Sequence, residues 1–172
     1  MKLTEIKFNC KYFRGEIPCT ANKLRDKICS NCDEYHPIKT KILIVKLGAI
    51  GDVIRSTPLL VKLRKLYPSS HITWITHSPE ILPKDWIDEI CRFDFVSVYK
   101  AENTEYDIAI NLDKDKEACM LLQNVKAEKK FGFIWKKNHI DIATFGAHHK
   151  FITGAFDNIS KKNKKNYIEE IF

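Results

Sequence analysis

Long apolar runs are missing from this 172-residue chain. No stretch approaches the ~18 apolar residues that a membrane-spanning helix needs. The first ten residues, MKLTEIKFNC, lack the apolar region of a secretion signal. Internal repeats are also absent. We therefore expect a cytoplasmic globular protein that approaches a membrane only peripherally.

The common nucleotide-binding fingerprints are absent as well. Gly48 and Gly51 are spaced G-x-x-G, which differs from the G-x-G-x-x-G of dinucleotide-binding folds. No Gly-Lys-Ser/Thr sequence follows them, so the turn is not a phosphate-binding P-loop. The sequence thus gives no support for nucleotide binding by either of these routes.

The amino-acid composition is sufficient for a hydrophobic core. The chain is 44% apolar and carries a net charge of +7, with a pI near 9.0. Its length leaves room for one ordinary domain and an appendage. The positive charge suits a phosphorylated ligand, an anionic membrane surface or nucleic acid, and does not choose among them.

Four of the six cysteines lie in the first fifth of the chain: Cys10, Cys19, Cys29 and Cys32. Without a secretion signal, clustered cysteines are more typical of a metal site than of disulfides. The last two have C-x2-C spacing, and the first two, spaced C-x8-C, complete a tetrahedral set. We expect a structural zinc ion and no catalytic metal. The alternatives are an iron–sulfur cluster, His36 replacing one cysteine, or four unligated thiols.

The chain divides near His36-Pro37, which interrupts regular structure. Residues 1–40 form a Cys-rich, zinc-binding-like extension, and residues 41–172 form the main domain. Strands are predicted at 42–46, 71–76, 95–99, 106–112 and 130–135, with helices at 53–66, 86–90 and 114–125. Strands separated by helices imply parallel, right-handed crossovers. The predicted fold is therefore α/β, a Rossmann-like doubly wound parallel sheet.

Three details of this pattern stay open. Pro58 either bends the first helix or restarts it, with Thr57 as the cap. Residues 136–153 have no clear period, and a short helix begins near Asp157. Residues 166–172 form an amphipathic helix that stops without a cap. We expect from this that the chain is cut before a second domain.

The stretch 41–58, KILIVKLGAIGDVIRSTP, organises the main domain. It contains a buried strand, a turn at Gly48 and Gly51, the acid Asp52 and the start of a helix. Strand ends of open α/β sheets place side chains over a ligand crevice. Glycines permit positive φ and close approach of a ligand, and free amides at a helix start favour anions. From the residues alone, Asp52 is a helix cap, a general base, or both.

Further candidates surround this turn. Lys46 and Arg55 are candidate phosphate contacts, although exposed basic side chains are commonly just solvated. Ser56 and Thr57 suit a phosphate or a sugar, and Thr57 is equally explained as a helix cap. Asp113 follows the strand 106–112 and is a candidate for the same crevice.

Residues 41–68, the HITWIT that follows, and residues 106–133 resemble the N-terminal half of the family 9 glycosyltransferases, the heptosyltransferases of lipopolysaccharide core assembly. The Cys-rich start looks like an extension found in a subset of that family. The resemblance implies a GT-B enzyme of two Rossmann-like domains, inverting and independent of metal in catalysis. It also implies that Asp52, in the Gly51-Asp52 pair, matches the family's proposed catalytic base.

The same resemblance implies the partners. The N-terminal domain would bind a lipopolysaccharide core-like glycolipid, in peripheral contact with the cytoplasmic face of the inner membrane. A C-terminal domain, absent from this chain, would bind an ADP-heptose-like nucleotide sugar. We therefore expect a glycosyltransferase half that is inactive without the donor domain.

Two other classes of function compete with this one. One is a zinc-stapled binding module for nucleic acid or a protein partner, motivated by the cysteines, the positive charge and a lysine run at 161–165. It lacks the interleaved aromatic and basic residues of RNA-binding patterns, so nucleic acid is not expected as a partner. The other is a non-catalytic, acceptor-binding remnant that works with a separately encoded partner.

Overall fold

One mixed sheet forms the centre of the protein, described by a computed structural model over residues 2–171. The strand order is β3-β2-β1-β4-β5-β6. The first five strands along the chain pair in parallel, and β6 runs antiparallel to β5. The predicted Rossmann-like fold is confirmed. The strands are β1 (Thr40–Val45), β2 (Ser70–Thr76), β3 (Glu89–Arg92), β4 (Glu105–Asn111), β5 (Lys126–Lys136) and β6 (His139–Ile142).

Helices lie before the first strand, between strands and after the last strand. Short 3-10 turns occur at Leu3–Glu5, Cys29–Asn31, Pro79–Ile81, Lys84–Trp86 and Phe145–Ala147. The helices are α1 (Thr20–Arg25), α2 (Ile50–Ser56), α3 (Pro58–Leu66), α4 (Phe95–Glu102), α5 (Lys116–Asn124), α6 (His148–Ala155), α7 (Asp157–Ser160) and α8 (Tyr167–Ile171).

β1 is buried on both faces. Its alternate side chains enter two clusters: Ile42 and Ile44 pack with the leucines of α3, and Leu43 and Val45 pack with the apolar face of α5. A central parallel strand covered by helices on both sides has no polar face, and this explains the unbroken ILIV run. The strand order reverses between β1 and β4, where open α/β sheets form ligand crevices.

The predicted helix 53–66 is two helices that meet at Thr57. Pro58 occupies the first position of α3, where its missing amide hydrogen costs nothing and its fixed φ suits the helix. Of the predicted restart and bend, the restart is confirmed. Of the apolar residues predicted to line one face, Leu60 and Leu63 are buried, whereas Ile54 and Leu66 are exposed.

The predicted strand at 95–99 is wrong, since this segment begins α4. The Asp94 carboxylate accepts a hydrogen bond from the Ser97 amide (2.8 Å) and caps the helix. Such a cap satisfies a free amide of the first turn. The β-branched composition of FVSVY suggested a strand, but Ala101 and half-buried Val98 face the sheet at helical spacing.

Two further segments differ from the prediction. The short helix predicted at 86–90 is instead the end of a 3-10 turn followed by β3, which pairs with β2 through four residues. The region 136–153 contains β6 and most of α6. Neither short strand is readable locally, because each is held by hydrogen bonds to a neighbour far along the chain or across a tight turn.

The carboxyl-terminal elements agree better with the sequence pattern. A short helix does begin at Asp157, and the helix predicted over 166–172 is observed as α8, with residue 172 outside the described range. Across residues 2–171, no helix combines the length and the apolar character that crossing a membrane requires.

The amino-terminal segment, residues 2–39, docks on the amino-terminal edge of the sheet through Asp88, which directly precedes β3. Lys11 Nζ lies 2.7 Å from Asp88 Oδ1, and Arg64 Nη2 lies 2.8 Å from Oδ2. The Ile72 amide also donates to Oδ2 at 2.8 Å. Burial alone would raise the pKa of Asp88, but these three donors outweigh it and hold the pKa below its usual value.

Asp88→Asn should lower the free energy of unfolding by about 2–3 kcal/mol at pH 7, because a carboxyl side chain that is 4% exposed loses two ion pairs. A depressed folded pKa stabilises the protein above the ordinary value of ~3.9, and this stabilisation disappears as the pH falls through the folded pKa. Urea unfolding at several pH values measures both effects.

The control is Glu80→Gln, which removes a surface ion pair with Arg92 (3.4 Å). We expect that variant to stay within ~1 kcal/mol of the wild type. If Asp88→Asn lost no more than Glu80→Gln, or kept the acid-dependent loss of stability of the wild type, the role assigned to Asp88 would be wrong.

Candidate active site

A crevice of about 540 Å³ lies at the carboxyl ends of β1 and β4. Its position is the point where the strand order reverses, as expected for a ligand site in this fold. We call it the strand-end crevice. The structure brings four of the predicted site residues to it. They are Lys46, Asp52, Arg55 and Asp113, joined by Leu112, Lys114, Asp115, Phe133, Lys150, Tyr167 and Glu170.

Asp113 holds the turn that follows β1. Its Oδ2 accepts hydrogen bonds from the amides of Leu47 (2.9 Å) and Gly48 (3.2 Å) and from Lys46 Nζ (3.1 Å). Lys46 also donates to the Gly48 carbonyl. Asp113 and Lys46 are 8% and 3% exposed. Both charged groups therefore bind each other and the backbone of the loop, and few of their hydrogen-bonding positions remain for a ligand.

Asn111, which is not among the site residues predicted from the sequence, holds the backbone of Asp113 in place. Its amide nitrogen donates to the Asp113 carbonyl (2.9 Å) and the Phe133 carbonyl (2.8 Å), and its Oδ1 accepts from the Asp113 amide (2.9 Å). Gly132 lies beside it with φ +92°, where a Cβ would come 1.8 Å from the Asn111 carbonyl oxygen. A buried amide in the otherwise apolar IAIN run was the available signal for Asn111.

Asp52 differs from Asp113 in every respect that matters for chemistry. It lies in the first turn of α2 with its side chain 32% exposed, and Arg55 donates to its Oδ1. Among the described residues, Oδ2 has no hydrogen-bond donor. The structure therefore contains one carboxylate committed to the loop and one that faces the crevice with an oxygen available.

Ser56 and Thr57 make local contacts. The Ser56 hydroxyl is buried, donates to the Asp52 carbonyl (2.7 Å) and lies 3.3 Å from the Tyr167 hydroxyl. The Thr57 hydroxyl donates to the Ile54 carbonyl (2.8 Å) and makes no capping bond to α3. Thr57 is the junction of two helices, but its side chain is not the predicted cap. A sugar or phosphate contact by either residue stays a prediction.

The two glycines of the turn do not need positive φ. Only Gly15 and Gly132 have positive φ among the glycines of the described chain, so that part of the prediction is wrong for Gly48 and Gly51. A Cβ at either position would meet no described atom within 4 Å. The space beside the turn is open, which is compatible with the predicted close approach of a ligand.

The far wall of the crevice comes from the end of the described chain. The Tyr167 ring lies under the Arg55 guanidinium, 4.6 Å from its centroid, and Lys150 Nζ pairs with Glu170 at 2.5 Å. Burial raises the pKa of the Tyr167 hydroxyl, and the negative charges of Asp52 and Asp113 raise it further. The hydrogen bond to Ser56 acts in the opposite direction. Tyr167 thus remains a neutral hydroxyl beside the acid. No local pattern predicted this contact, because it depends on α8 packing against α2.

The four clustered cysteines meet at a different place. Cys10, Cys19, Cys29 and Cys32 all border one cavity of about 350 Å³ in the amino-terminal segment, which we call the cysteine cavity. His36 is not among the described lining residues; its Nδ1 lies 2.9 Å from the Glu34 carbonyl oxygen. Within residues 2–171, no three His, Cys, Asp or Glu side chains converge as ligands of a single metal ion. The zinc ion stays a prediction.

Comparison with known proteins addresses the family. The chain is 25% identical over 107 residues to the lipopolysaccharide core heptosyltransferase OpsX of Haemophilus influenzae, a match covering 56% of this chain and 31% of that protein. The chain is thus similar to a heptosyltransferase, and the resemblance to heptosyltransferases predicted from the sequence is confirmed by this match. No protein-family model matches the chain.

A solved structure is also similar to this heptosyltransferase-like chain. It is the glycosyl transferase family 9 protein of Veillonella parvula DSM 2008, 28% identical, with a TM-score of 0.45 over 55% of this chain and 32% of that one. The chain thus spans about a third of the length of the curated relative and of the solved structure that it matches.

Proposed function

We propose that this chain is the acceptor-binding half of an inverting glycosyltransferase, with Asp52 as the general base. The homologous heptosyltransferase supports sugar transfer at the level of the family. The acceptor in the proposal is a lipopolysaccharide core-like glycolipid, approached from the cytoplasmic face of the inner membrane. The donor is an ADP-heptose-like nucleotide sugar, bound by a second domain.

The observation that carries the proposal is the difference between Asp113 and Asp52, two of the four carboxylates that line the crevice. Asp113 is enclosed by three donors, whereas Asp52 is partly exposed and shows one oxygen to the crevice. A sugar hydroxyl is a weak nucleophile, and a carboxylate within hydrogen-bond reach takes its proton as the hydroxyl attacks the anomeric carbon. Arg55 orients the carboxylate through its other oxygen.

The positive groups of the crevice suit a substrate that carries phosphate. Lys114 and Lys150 line the crevice together with Arg55. Burial lowers the pKa of Lys114, and the positive charge of Lys150 lowers it further. The negative charge of Glu170 opposes this and raises the pKa. Four carboxylates balance the four basic groups of the crevice, and three of the basic groups are in ion pairs. Among the described residues, Lys114 is the basic group of the crevice outside any ion pair, and its ammonium group would attract a phosphate. No metal ion is needed in this scheme.

The open space at Gly51 provides the test of binding. Gly51→Ala places a methyl group where no described atom lies within 4 Å, so the fold should keep its stability or gain up to ~1 kcal/mol in α2. If an acceptor sugar occupies this space, the Kd of the Gly51→Ala variant for a heptose-containing core oligosaccharide, measured by calorimetry, should be about tenfold or more above that of the wild type. We expect the backbone amides of residues 48–52 to shift in NMR spectra on titration of the wild type.

The matched control is Gly146→Ala, at a glycine of ordinary φ whose Cβ would lie 4.0 Å from Thr144 Oγ1. That variant should bind the oligosaccharide as the wild type does. Absence of any binding by the wild-type chain, or equal affinity for both variants, would contradict an acceptor site at this turn.

A further inference from the structure

The amino-terminal segment folds with almost no apolar core. Within residues 2–39, Ala21 is the only buried residue. Regular structure there amounts to the six-residue α1 and two three-residue 3-10 turns. Units of about 40 residues usually need disulfides, a metal or a partner to hold a fold, and the four cysteines of this segment are free. Apolar burial is therefore insufficient to explain its structure.

The cysteine cavity contains the groups that would supply the missing stabilisation. Its four thiols come from three places in the segment: Cys10, Cys19 directly before α1, and the pair of Cys29, which begins one 3-10 turn, and Cys32, which directly follows that turn. Lys7 and Lys27 line the same cavity, against a single acid, Glu16. Cysteine thiolates are the ligands of zinc and of iron–sulfur clusters.

Zinc sites and iron–sulfur clusters hold their four sulfurs at different separations. A zinc ion at ~2.3 Å from each sulfur draws its four sulfurs to about 4 Å from one another. No three candidate ligand side chains of the described chain converge as ligands of one ion, yet all four thiols border a space of about 350 Å³. A cluster of several irons and sulfides distributes its thiolates around a body instead of a point.

We propose that the four thiolates of the cysteine cavity bind an iron–sulfur cluster, and that this cluster holds residues 2–39 in their folded form. Each cysteine loses its thiol proton on ligation. The segment docks beside Asp88 at the amino-terminal edge of the sheet, whereas the strand-end crevice follows the carboxyl ends of β1 and β4. With β1 about 20 Å long, the cluster is structural and lies outside the glycosyl-transfer site.

The test is purification of the chain without oxygen, followed by measurement of iron, acid-labile sulfide and zinc per chain and of the visible absorption spectrum. We expect iron and sulfide in equal amounts, with a broad visible band. Both should be lost in the Cys29→Ser/Cys32→Ser double variant. Cys91→Ser, at a half-buried cysteine outside the cavity, is the matched control and should retain both.

A second measurement avoids variants altogether. Oxidative removal of the cluster from the wild-type chain should make residues 2–39 at least tenfold more susceptible to limited proteolysis, followed by mass spectrometry, while residues 41–171 stay protected. Each of three results would overturn the proposal: stoichiometric zinc without iron, disulfides in place of metal, or a segment equally protected without the cluster. Because none of these measurements involves a sugar, failure here and failure of the glycosyltransferase proposal are distinguishable.

Discussion

Asp52→Asn should lower kcat for glycosyl transfer by about 10²–10⁴, the usual contribution of a general base. The amide keeps the shape of the side chain and can still accept a hydrogen bond from Arg55, but it takes no proton from an acceptor hydroxyl. Because the Asp52–Arg55 pair is largely exposed, stability should change by less than ~1 kcal/mol. The assay uses the chain together with its donor-binding domain, with stability followed by thermal unfolding.

Asp85→Asn is the control for this experiment, since Asp85 is an exposed carboxylate in a 3-10 turn away from the crevice. We expect it to leave kcat unchanged. Acceptor affinity should be nearly the same for Asp52→Asn and the wild type, since the lost interaction belongs to the transition state. Near-normal kcat in Asp52→Asn would show that the base lies elsewhere. The alternative prediction of Asp52 as the cap of α2 is wrong, because Ala49 occupies the N-cap position and no side-chain hydrogen bond caps the helix.

Asp113→Ala should be the most destabilising single change considered for this site, by about 3–5 kcal/mol. It leaves the Lys46 ammonium, 4% exposed in its side chain, without its counter-charge, and removes the acceptor of two loop amides. Asp113→Asn, which retains one acceptor oxygen, should lose less. Urea unfolding with a constant m value measures these differences.

Two companion variants separate the ion pair from its surroundings. Lys46→Met removes the buried charge, so the double variant Lys46→Met/Asp113→Ala should lose less than the sum of the single losses. Asp115→Ala removes a neighbouring carboxylate that makes no capping hydrogen bond and should cost under ~1 kcal/mol. Strict additivity, or equal losses for Asp113→Ala and Asp115→Ala, would contradict the role of Asp113 as the clamp of the turn.

The two carboxylates also show how far sequence reasoning reached. Both were identified, because each follows a buried strand, and both do lie at the crevice. The different roles of Asp52 and Asp113 could not be predicted from the sequence, because each role depends on how many hydrogen-bond donors surround the carboxylate oxygens. Asp113 gains its donors from residues 65–67 positions away in the chain. Only the pairing of β1 with β4 creates that proximity.

The secondary-structure errors have a related cause. FVSVY has strand composition, but the Asp94 cap and the packing of Ala101 against the sheet make it a helix. Propensity is a weak preference that tertiary contacts override. The predictions that succeeded include β1, an unbroken apolar run, and α5, which has helical periodicity, and in both every predicted apolar position is buried.

The amino-acid sequence by itself determined the α/β class, the central buried strand, the glycine turn with Asp52, and the clustering of four cysteines, because these depend on local pattern and spacing. The tertiary structure alone decided that Asp113 and Lys46 bind the loop while Asp52 remains available. It also decided that Tyr167 closes the crevice wall and that the four thiols surround one cavity. These outcomes depend on distances between residues far apart in the chain, which are set only when the sheet and its helices pack.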